Sequence, residues 1–370
     1  MLEPNVQDHA PGSPRGRSIP FRDLEERLMA ASAPLGAGMT KRVGVAEVAA
    51  RAGVSPGTVS NTLNHPERVS PTTRDLVLAA IRDLGFVPNQ QARVLTGAAS
   101  NLLGLVVVDL LSPFFMEVAH AVERAAAELG HVLILSNSEN DHDREETLLR
   151  TLAAQRVAGA LLTPAGGGHP PVEAAHGVPL VLIDHTSTDH PCSVSVDHVA
   201  GGRMAAQHLI SLGHTRLGFV AGLPDLSQFA QREQGIREAM AEAGLDPTTL
   251  QVFRSDGIGQ PSGLASGEQI LARRRPPTGL CCGNDMLAFG VYRAFTRGGI
   301  RIPEDVALVG YDDVDFAANW IVPLTSIRQP TSLMGDHAAR LLIDHVTNPD
   351  HEHRRVVLQP SLIVRRSSSA

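Results

Sequence analysis

Val45-Ala-Glu-Val-Ala-Ala-Arg-Ala-Gly-Val-Ser-Pro-Gly-Thr-Val-Ser-Asn-Thr-Leu-Asn64 encodes two short helices separated by a glycine turn. Val45, Val48, Ala49 and Ala52 recur at i, i+3, i+4 and i+7, so they share one apolar helix face. Gly53 ends that helix. Ser55 is a good N-cap and Pro56 suits the first helical position, which predicts a second helix from about Pro56 to Leu63. Ser70-Pro71 repeats the cap logic for a third helix, with Val77, Ala80, Ile81 and Leu84 on one face and a stop at Gly85. A helix, a tight turn and a capped second helix is the geometry that sets an N-terminal helical turn into a DNA major groove.

The charge distribution agrees. Between Thr40 and Ser100 there are seven Lys/Arg and four Asp/Glu, a net +3; the whole chain is −7, which leaves −10 for the remainder. A small basic module on an acidic body suggests that one end meets phosphates and the other does not.

On either side the composition changes. Residues 1–38 are rich in Pro, Gly, Ser and Ala and are read as a mostly disordered N-terminal extension. Met39 directly precedes the structured part and is a candidate natural start; a genuine flexible tail is the other reading. Beyond Leu102, short apolar runs (Leu103 to Val108, Val132 to Leu135, Gly159 to Leu162, Leu180 to Ile183, Leu217 to Val220, Leu280 to Cys282, Val306 to Val309) alternate with amphipathic stretches. Such alternation implies βαβ units and parallel sheets covered on both faces, and about 270 residues are enough for two of them. The expected fold is an all-α helix-turn-helix headpiece plus an α/β core of two doubly wound parallel-sheet subdomains.

The quoted stretch resembles the headpiece of the LacI family, lactose-repressor-type regulators with the pattern D/E-V-A-x-x-A-G-V-S-x-x-T-V-S-x-x-L-N, and the likeness extends from Val43 to Gly97. The resemblance implies a headpiece over 40–87, a hinge helix over 88–98 and an effector-binding, dimerising core over 101–370. The expected N-subdomain covers about 101–184 and 313–328, and the C-subdomain about 185–312 and 329–370. Pro56, Gly57 and Asn61 fall on the family's base-contacting positions, and only Asn61 has a side chain able to make a bidentate contact, typically to adenine. Thr58, Ser60 and Asn64 suit phosphates, which position without specifying sequence, and the cap residue Ser55 is counted with them as part of the DNA-binding surface. In the hinge, Ala92 matches the close contact between paired helices and Leu95 the residue that wedges into the minor groove.

Core segments match the same family more loosely, among them Ser112-Pro-Phe-Phe115, Pro179-Leu-Val-Leu-Ile-Asp184, Gly283-Asn-Asp-Met-Leu-Ala-Phe-Gly290 and Val309-Gly-Tyr-Asp-Asp313. They imply a periplasmic-binding-protein fold clasping a small ligand, most simply a mono- or disaccharide, with co-repression by a purine-like ligand as the alternative. The expected effector contacts are Phe114, Phe115, Asp184, Gln228, Arg232 and Asp285, with Asp285 accepting from sugar hydroxyls and Arg232 donating a fork of hydrogen bonds. Trp320 falls either in the cleft or at the subdomain junction.

Other classes fit less well. No phosphate-binding loop, nucleophile elbow or HExxH motif occurs, so no enzyme is expected. A sugar-binding protein with no DNA role leaves the headpiece unexplained. Asp312, Asp313 and Asp315 match no common calcium loop and read as a solvated turn, while His351 and His353 read as surface residues. Cys192, Cys281 and Cys282 form no C-x-x-C pair, so neither a disulfide framework nor a zinc site follows from their spacing. No cofactor or metal is expected. Neither a secretory signal nor a run of ~18 uncharged apolar residues is present, which suggests a cytoplasmic protein. The expected partners are an operator DNA, the effector and a second copy of the chain, with dimer against tetramer left open.

Overall fold

The computed structural model describes residues 43–87, 100–166, 170–185 and 192–369. The chain divides into two units, Met1–Asn89 and Gln90–Ala370. The N-terminal extension, the hinge segment with Ala92 and Leu95, and Met39 lie outside the described residues.

In the first unit, α1 (Val45–Ala52), α2 (Pro56–Asn64) and α3 (Pro71–Leu84) follow the predicted boundaries closely. Gly53 turns the chain between α1 and α2 with φ of 71°, a left-handed conformation that costs glycine little. Ser55 Oγ accepts from Thr58 N at 3.1 Å, and Ser70 Oγ from Thr73 N at 3.3 Å. Val48, Ala49, Val59, Val77, Ala80 and Phe86 form the small core. Val45, expected on the apolar face, is exposed instead.

The second unit carries two six-stranded sheets. In the first, β1 (Leu102–Val107), β2 (Val132–Asn137), β3 (Gly159–Leu162), β4 (Leu180–Ile183), β5 (Ser193–Val196) and β11 (Arg355–Leu358) lie in the order β11-β5-β4-β3-β1-β2, all parallel. It is flanked by α4 (Pro113–Glu128), α5 (His142–Ala154) and α10 (Thr331–Thr347). In the second, β6 (Leu217–Ala221), β7 (Gln251–Arg254), β8 (Gly279–Cys282), β9 (Ala307–Asp312), β10 (Thr325–Arg328) and β12 (Ser361–Ile363) lie in the order β12-β10-β9-β8-β6-β7, and only β12 is antiparallel to its neighbour. Its helices are α6 (His198–Ser211), α7 (Ser227–Glu242), α8 (Gln260–Leu271) and α9 (Asp285–Arg297).

The chain therefore crosses between sheets three times; the expected break after residue 328 is one of the crossings, though with its two sides exchanged, and the other two lie elsewhere. The crossings fall at Asp197, between Arg328 and Thr331, and between Leu358 and Ser361. Residues 313–328, expected in the N-subdomain, carry β10 and belong to the second sheet. Residues 331–358, expected in the C-subdomain, carry α10 and β11 and belong to the first. Met334, Ala338 and Leu342 of α10 pack into the same core as Leu105, Val118 and Val181. The cause is β5, whose sequence Ser-Val-Ser-Val has no apolar run: Ser193 and Ser195 are buried in the sheet, which keeps the chain in the first subdomain past Asp184.

Candidate functional site

The helix-turn-helix offers one face for a partner. Pro56, Gly57, Ser60 and Asn61 on α2 are exposed, whereas Val59 and Thr62 point into the core. Thr58 Oγ1 shares a hydrogen bond with Ser55 Oγ at 2.9 Å, and Asn64 Nδ2 donates to Ser60 Oγ at 3.3 Å. Asn61 is thus the exposed amide on α2 whose side chain has no such partner among the described residues.

In the second unit a cleft opens at the carboxyl ends of the strands, between the two sheets. It is lined by Ser112, Phe114, Phe115 and Asp184 from the first subdomain, and by Leu226, Gln228, Phe229, Arg232, Ile258, Asn284 and Asp312 from the second. Five of the six expected residues are here. Asp184 follows β4 and Asp312 ends β9, with φ of 56° and 107° respectively. Side chains seldom accept these backbone angles, and here they turn both carboxylates out of their strands into the cleft.

A buried polar network crosses the junction. His198 Nε2 is 2.8 Å from Asp184 Oδ1, and Gln228 Nε2 donates to Asp184 Oδ2 at 3.1 Å and to its carbonyl at 2.9 Å. Arg232 reaches His198 Nδ1 through Nε at 3.4 Å, donates to the Gly283 carbonyl, and lies 3.7 Å above the Tyr311 ring. The Tyr311 hydroxyl is 3.2 Å from the same His198 Nδ1. These partners assign His198 as the neutral Nε2–H tautomer, donating to Asp184 and accepting on Nδ1. Burial pushes its pKa down, against the pull of Asp184 and with Arg232 reinforcing the shift. Burial by itself raises the Asp184 carboxyl, but His198, Arg232 and Gln228 outweigh it and hold it below the usual range. Asp312 behaves oppositely: burial pushes it up to about 7, although Arg232 and a 2.7 Å hydrogen bond from Gln329 Nε2 favour its ionised form.

Asp285 is the expected contact that is absent from the cleft lining. Its carboxylate is fully buried, accepting from Ser326 Oγ at 2.7 Å and Val314 N at 3.0 Å. Burial first, and then Asp312, push its pKa well above the usual carboxylate range. It braces the turn behind Asp312 instead of facing a ligand. The preceding residue Asn284, which caps α9, lines the cleft in its place. The acidic turn is solvated only at Asp315, which is exposed: Asp312 is buried, and Asp313 is gripped by Arg328 at 2.7 Å and by Arg365. The signal for Asp312 lay in Val309-Gly-Tyr-Asp-Asp313, a carboxylate just beyond a buried strand where ligands of open α/β sheets sit. Trp320 packs on Phe289, with ring centroids 4.1 Å apart, inside the second subdomain. Among the described residues, no helix is long and apolar enough to cross a membrane.

Residues 45–89 match the family model for bacterial regulatory proteins of the lacI family, and residues 206–368 match the periplasmic binding protein-like domain. The chain is 32% identical to the HTH-type transcriptional repressor PurR of Photobacterium profundum, over 87% of this chain and 98% of that one. It is 36% identical to the HTH-type transcriptional regulator CelR of Thermobifida fusca, over 86% and 96%. It is 34% identical to the ribose operon repressor of Escherichia coli K12, over 87% and 98%. Among solved structures, the lac repressor dimer bound to operator and the anti-inducer ONPF superposes with a TM-score of 0.80 at 29% identity, covering 89% of this chain and all of that one. A CelR–cellobiose complex superposes with a TM-score of 0.67 at 34% identity, covering 88% of this chain.

Proposed function

The chain belongs to the lacI family of bacterial regulatory proteins, and from that premise we propose that it is a transcriptional repressor released from its operator by a neutral sugar. Proteins of this kind are regulators, not enzymes, and the cleft residues accordingly bind and report; they do not turn over a substrate. Two copies pair through their cores and present two α2 helices to an inverted-repeat operator in the cytoplasm, as the similarity to an operator-bound lac repressor dimer supports. Asn61 reads a base edge, Pro56 and Gly57 let the helix approach closely, and Ser55, Thr58, Ser60 and Asn64 hold phosphates. Ala92 and Leu95 serve as the hinge contacts.

The observation that carries the effector assignment is the charge balance of the cleft. Among the described residues that line it, two carboxylates, Asp184 and Asp312, face it with a single guanidinium, Arg232, that is already committed to Gly283 and His198. A phosphate or carboxylate ligand meets no spare cation among these described residues. A polyhydroxylated neutral ligand meets acceptors in Asp184 and Asp312, mixed groups in Asn284, Gln228 and Ser112, and ring faces from Phe114, Phe115 and Phe229 for its apolar side. Closure on such a ligand is felt through Asp184, which bonds across the junction to His198 and Gln228.

Thermal shift of the purified full chain against neutral sugars, sugar phosphates and purines tests this. At ~100 Kd a ligand adds about 2.7 kcal/mol, a shift of several degrees. A hit among neutral sugars that Asp312→Asn abolishes supports the proposal. A hit with purines alone replaces induction with co-repression, and a hit with sugar phosphates alone refutes the charge argument.

A further inference from the structure

We propose that the first subdomain contains a zinc site made by Cys192, His345, His351 and His353. One ligand atom from each lies within 4.8 Å of those of all the others. Cys192 opens the path into β5, His345 is in the last turn of α10, and His351 and His353 sit on the connection from α10 to β11. The four are scattered over more than 160 positions, so no spacing motif announces them.

The contacts converge on one point. Cys192 Sγ is 3.2 Å from His351 Nε2 and 3.1 Å from His353 Nδ1. The rings of His345 and His351 stack at 4.4 Å, and His353 stands edge-on to both, at 5.2 and 5.1 Å. In a tetrahedral site with one thiolate at ~2.3 Å and imidazoles at ~2.0–2.1 Å, neighbouring ligand atoms are separated by roughly 3.3–3.6 Å. The sulfur–nitrogen pairs fall within about half an ångström of that, so side-chain adjustments of this order accommodate the ion.

The surroundings have the form of a metal site's outer shell. Asp344 Oδ2 is 2.6 Å from His351 Nδ1, which fixes the tautomer and leaves Nε2 turned toward the sulfur. Asn348 Nδ2 in turn donates to Asp344 Oδ1 at 3.1 Å. A surface depression lined by His345, Thr347, Asn348, His351 and His353 gives an ion a way in. The His351 side chain is 4% exposed, not the surface residue its position suggested. One sulfur and three imidazole nitrogens, with no oxygen donor among the four, exclude magnesium and calcium and suit zinc, and four protein ligands make a closed structural site. Binding replaces the thiol proton, which passes to solvent. The site is at the amino end of β5 and the cleft lies beyond the carboxyl ends of the strands, so metal and effector occupy opposite ends of the sheet.

The test uses the untagged full chain, stripped with chelator and titrated with Co2+ and then Zn2+. The expected result is one equivalent of Co2+ with the visible bands of tetrahedral coordination and a sulfur charge-transfer band, displaced by Zn2+, and a Zn2+-dependent rise in melting temperature of several degrees. Cys192→Ser removes the charge-transfer band and weakens Zn2+ on the order of a hundredfold or more; Asp344→Asn weakens it ten- to hundredfold. His353 is exposed, so His353→Ala keeps the fold and decides the matter if the buried Cys192 variant fails to fold. Substoichiometric binding, a spectrum without the sulfur band in the unaltered chain, or Zn2+ affinity unchanged in His353→Ala overturns the proposal.

Discussion

If sugar hydroxyls donate to Asp312, effector affinity must depend on pH in a calculable way. Burial holds the Asp312 carboxyl up to about 7 in the unliganded cleft. Hydroxyl donors favour its ionised form, so the ligand binds the ionised cleft and below pH 7 must first displace a proton. Apparent Kd then scales as 1 + 10^(pKa − pH). Between pH 8 and pH 6 it weakens about tenfold, close to 1.4 kcal/mol. The other titratable groups around Asp312 are shifted in both directions. Asp184 and His198 are both shifted downward, whereas Asp285 is raised by burial and by Asp312 itself and is controlled by an Asp285→Asn variant. Glu117 is raised, chiefly by burial, and is controlled by a Glu117→Gln variant. The assay is isothermal titration with the sugar that gives the largest thermal shift, at pH 6, 7 and 8 in constant ionic strength. The slope should persist in Glu117→Gln and vanish in Asp312→Asn. A flat profile in the unaltered chain, or a tenfold slope retained in Asp312→Asn, refutes the assignment of Asp312 as a hydroxyl acceptor.

Three further outcomes are expected. Asn61→Ala loses about 1–3 kcal/mol of discrimination at one operator base pair; binding to singly substituted operators checks this, and retention of every preference removes Asn61 as a reader. Glu145 is fully buried and accepts from Ala165 N at 2.6 Å, and burial raises its pKa from 4.5 to about 7. The fold therefore keeps this proton to higher pH than the unfolded chain does, so stability falls as pH rises from 4.5 to 7 and the cost is complete above that. Glu145→Gln should stabilise the core by up to about 3 kcal/mol at pH 8.5 and little at pH 5 in urea melts; equal effects at both pH values contradict the reasoning. Gly235 lets α7 pack against α6, since a Cβ there meets the Val199 carbonyl at 1.9 Å. Gly235→Ala forces the helices apart and should cost at least ~2 kcal/mol in the same melts.

The headpiece was legible in the sequence because every device there is local. Ser55 and Ser70 cap their helices by accepting from the backbone N–H three residues on, Gly53 sits in the turn, and each helix buries an apolar residue, Val48, Val59 or Val77. The core was legible only where strands are apolar runs. Strands β5 and β10 are rich in Ser and Thr whose side chains are buried in the sheet or bonded to distant segments (Thr325 Oγ1, for example, donates to the Arg365 carbonyl at 2.8 Å), and β12 is only three residues long. Missing them put residues 313–328 and 331–358 in the wrong subdomains. The choice of Asp285 over Asp312 has the same origin. A carboxylate next to a helix start looks able to face a crevice, but only the positions of Ser326 and Val314, some 30 to 40 residues away, show that Asp285 faces inward. The Cys192–histidine cluster depends wholly on tertiary placement, with β5, α10 and the approach to β11 meeting at one edge.

Selection of DNA from a random duplex library by the full-length chain tests the central account most directly, because neither the operator nor the effector has to be identified first. The account predicts enrichment of an inverted repeat whose half-site centres lie one helical turn, about 10 base pairs, or a multiple of it apart. It also predicts an enriched adenine that loses its preference in Asn61→Ala. Enrichment of nothing, or of a single asymmetric site insensitive to Asn61, contradicts a symmetric repressor that reads DNA with α2.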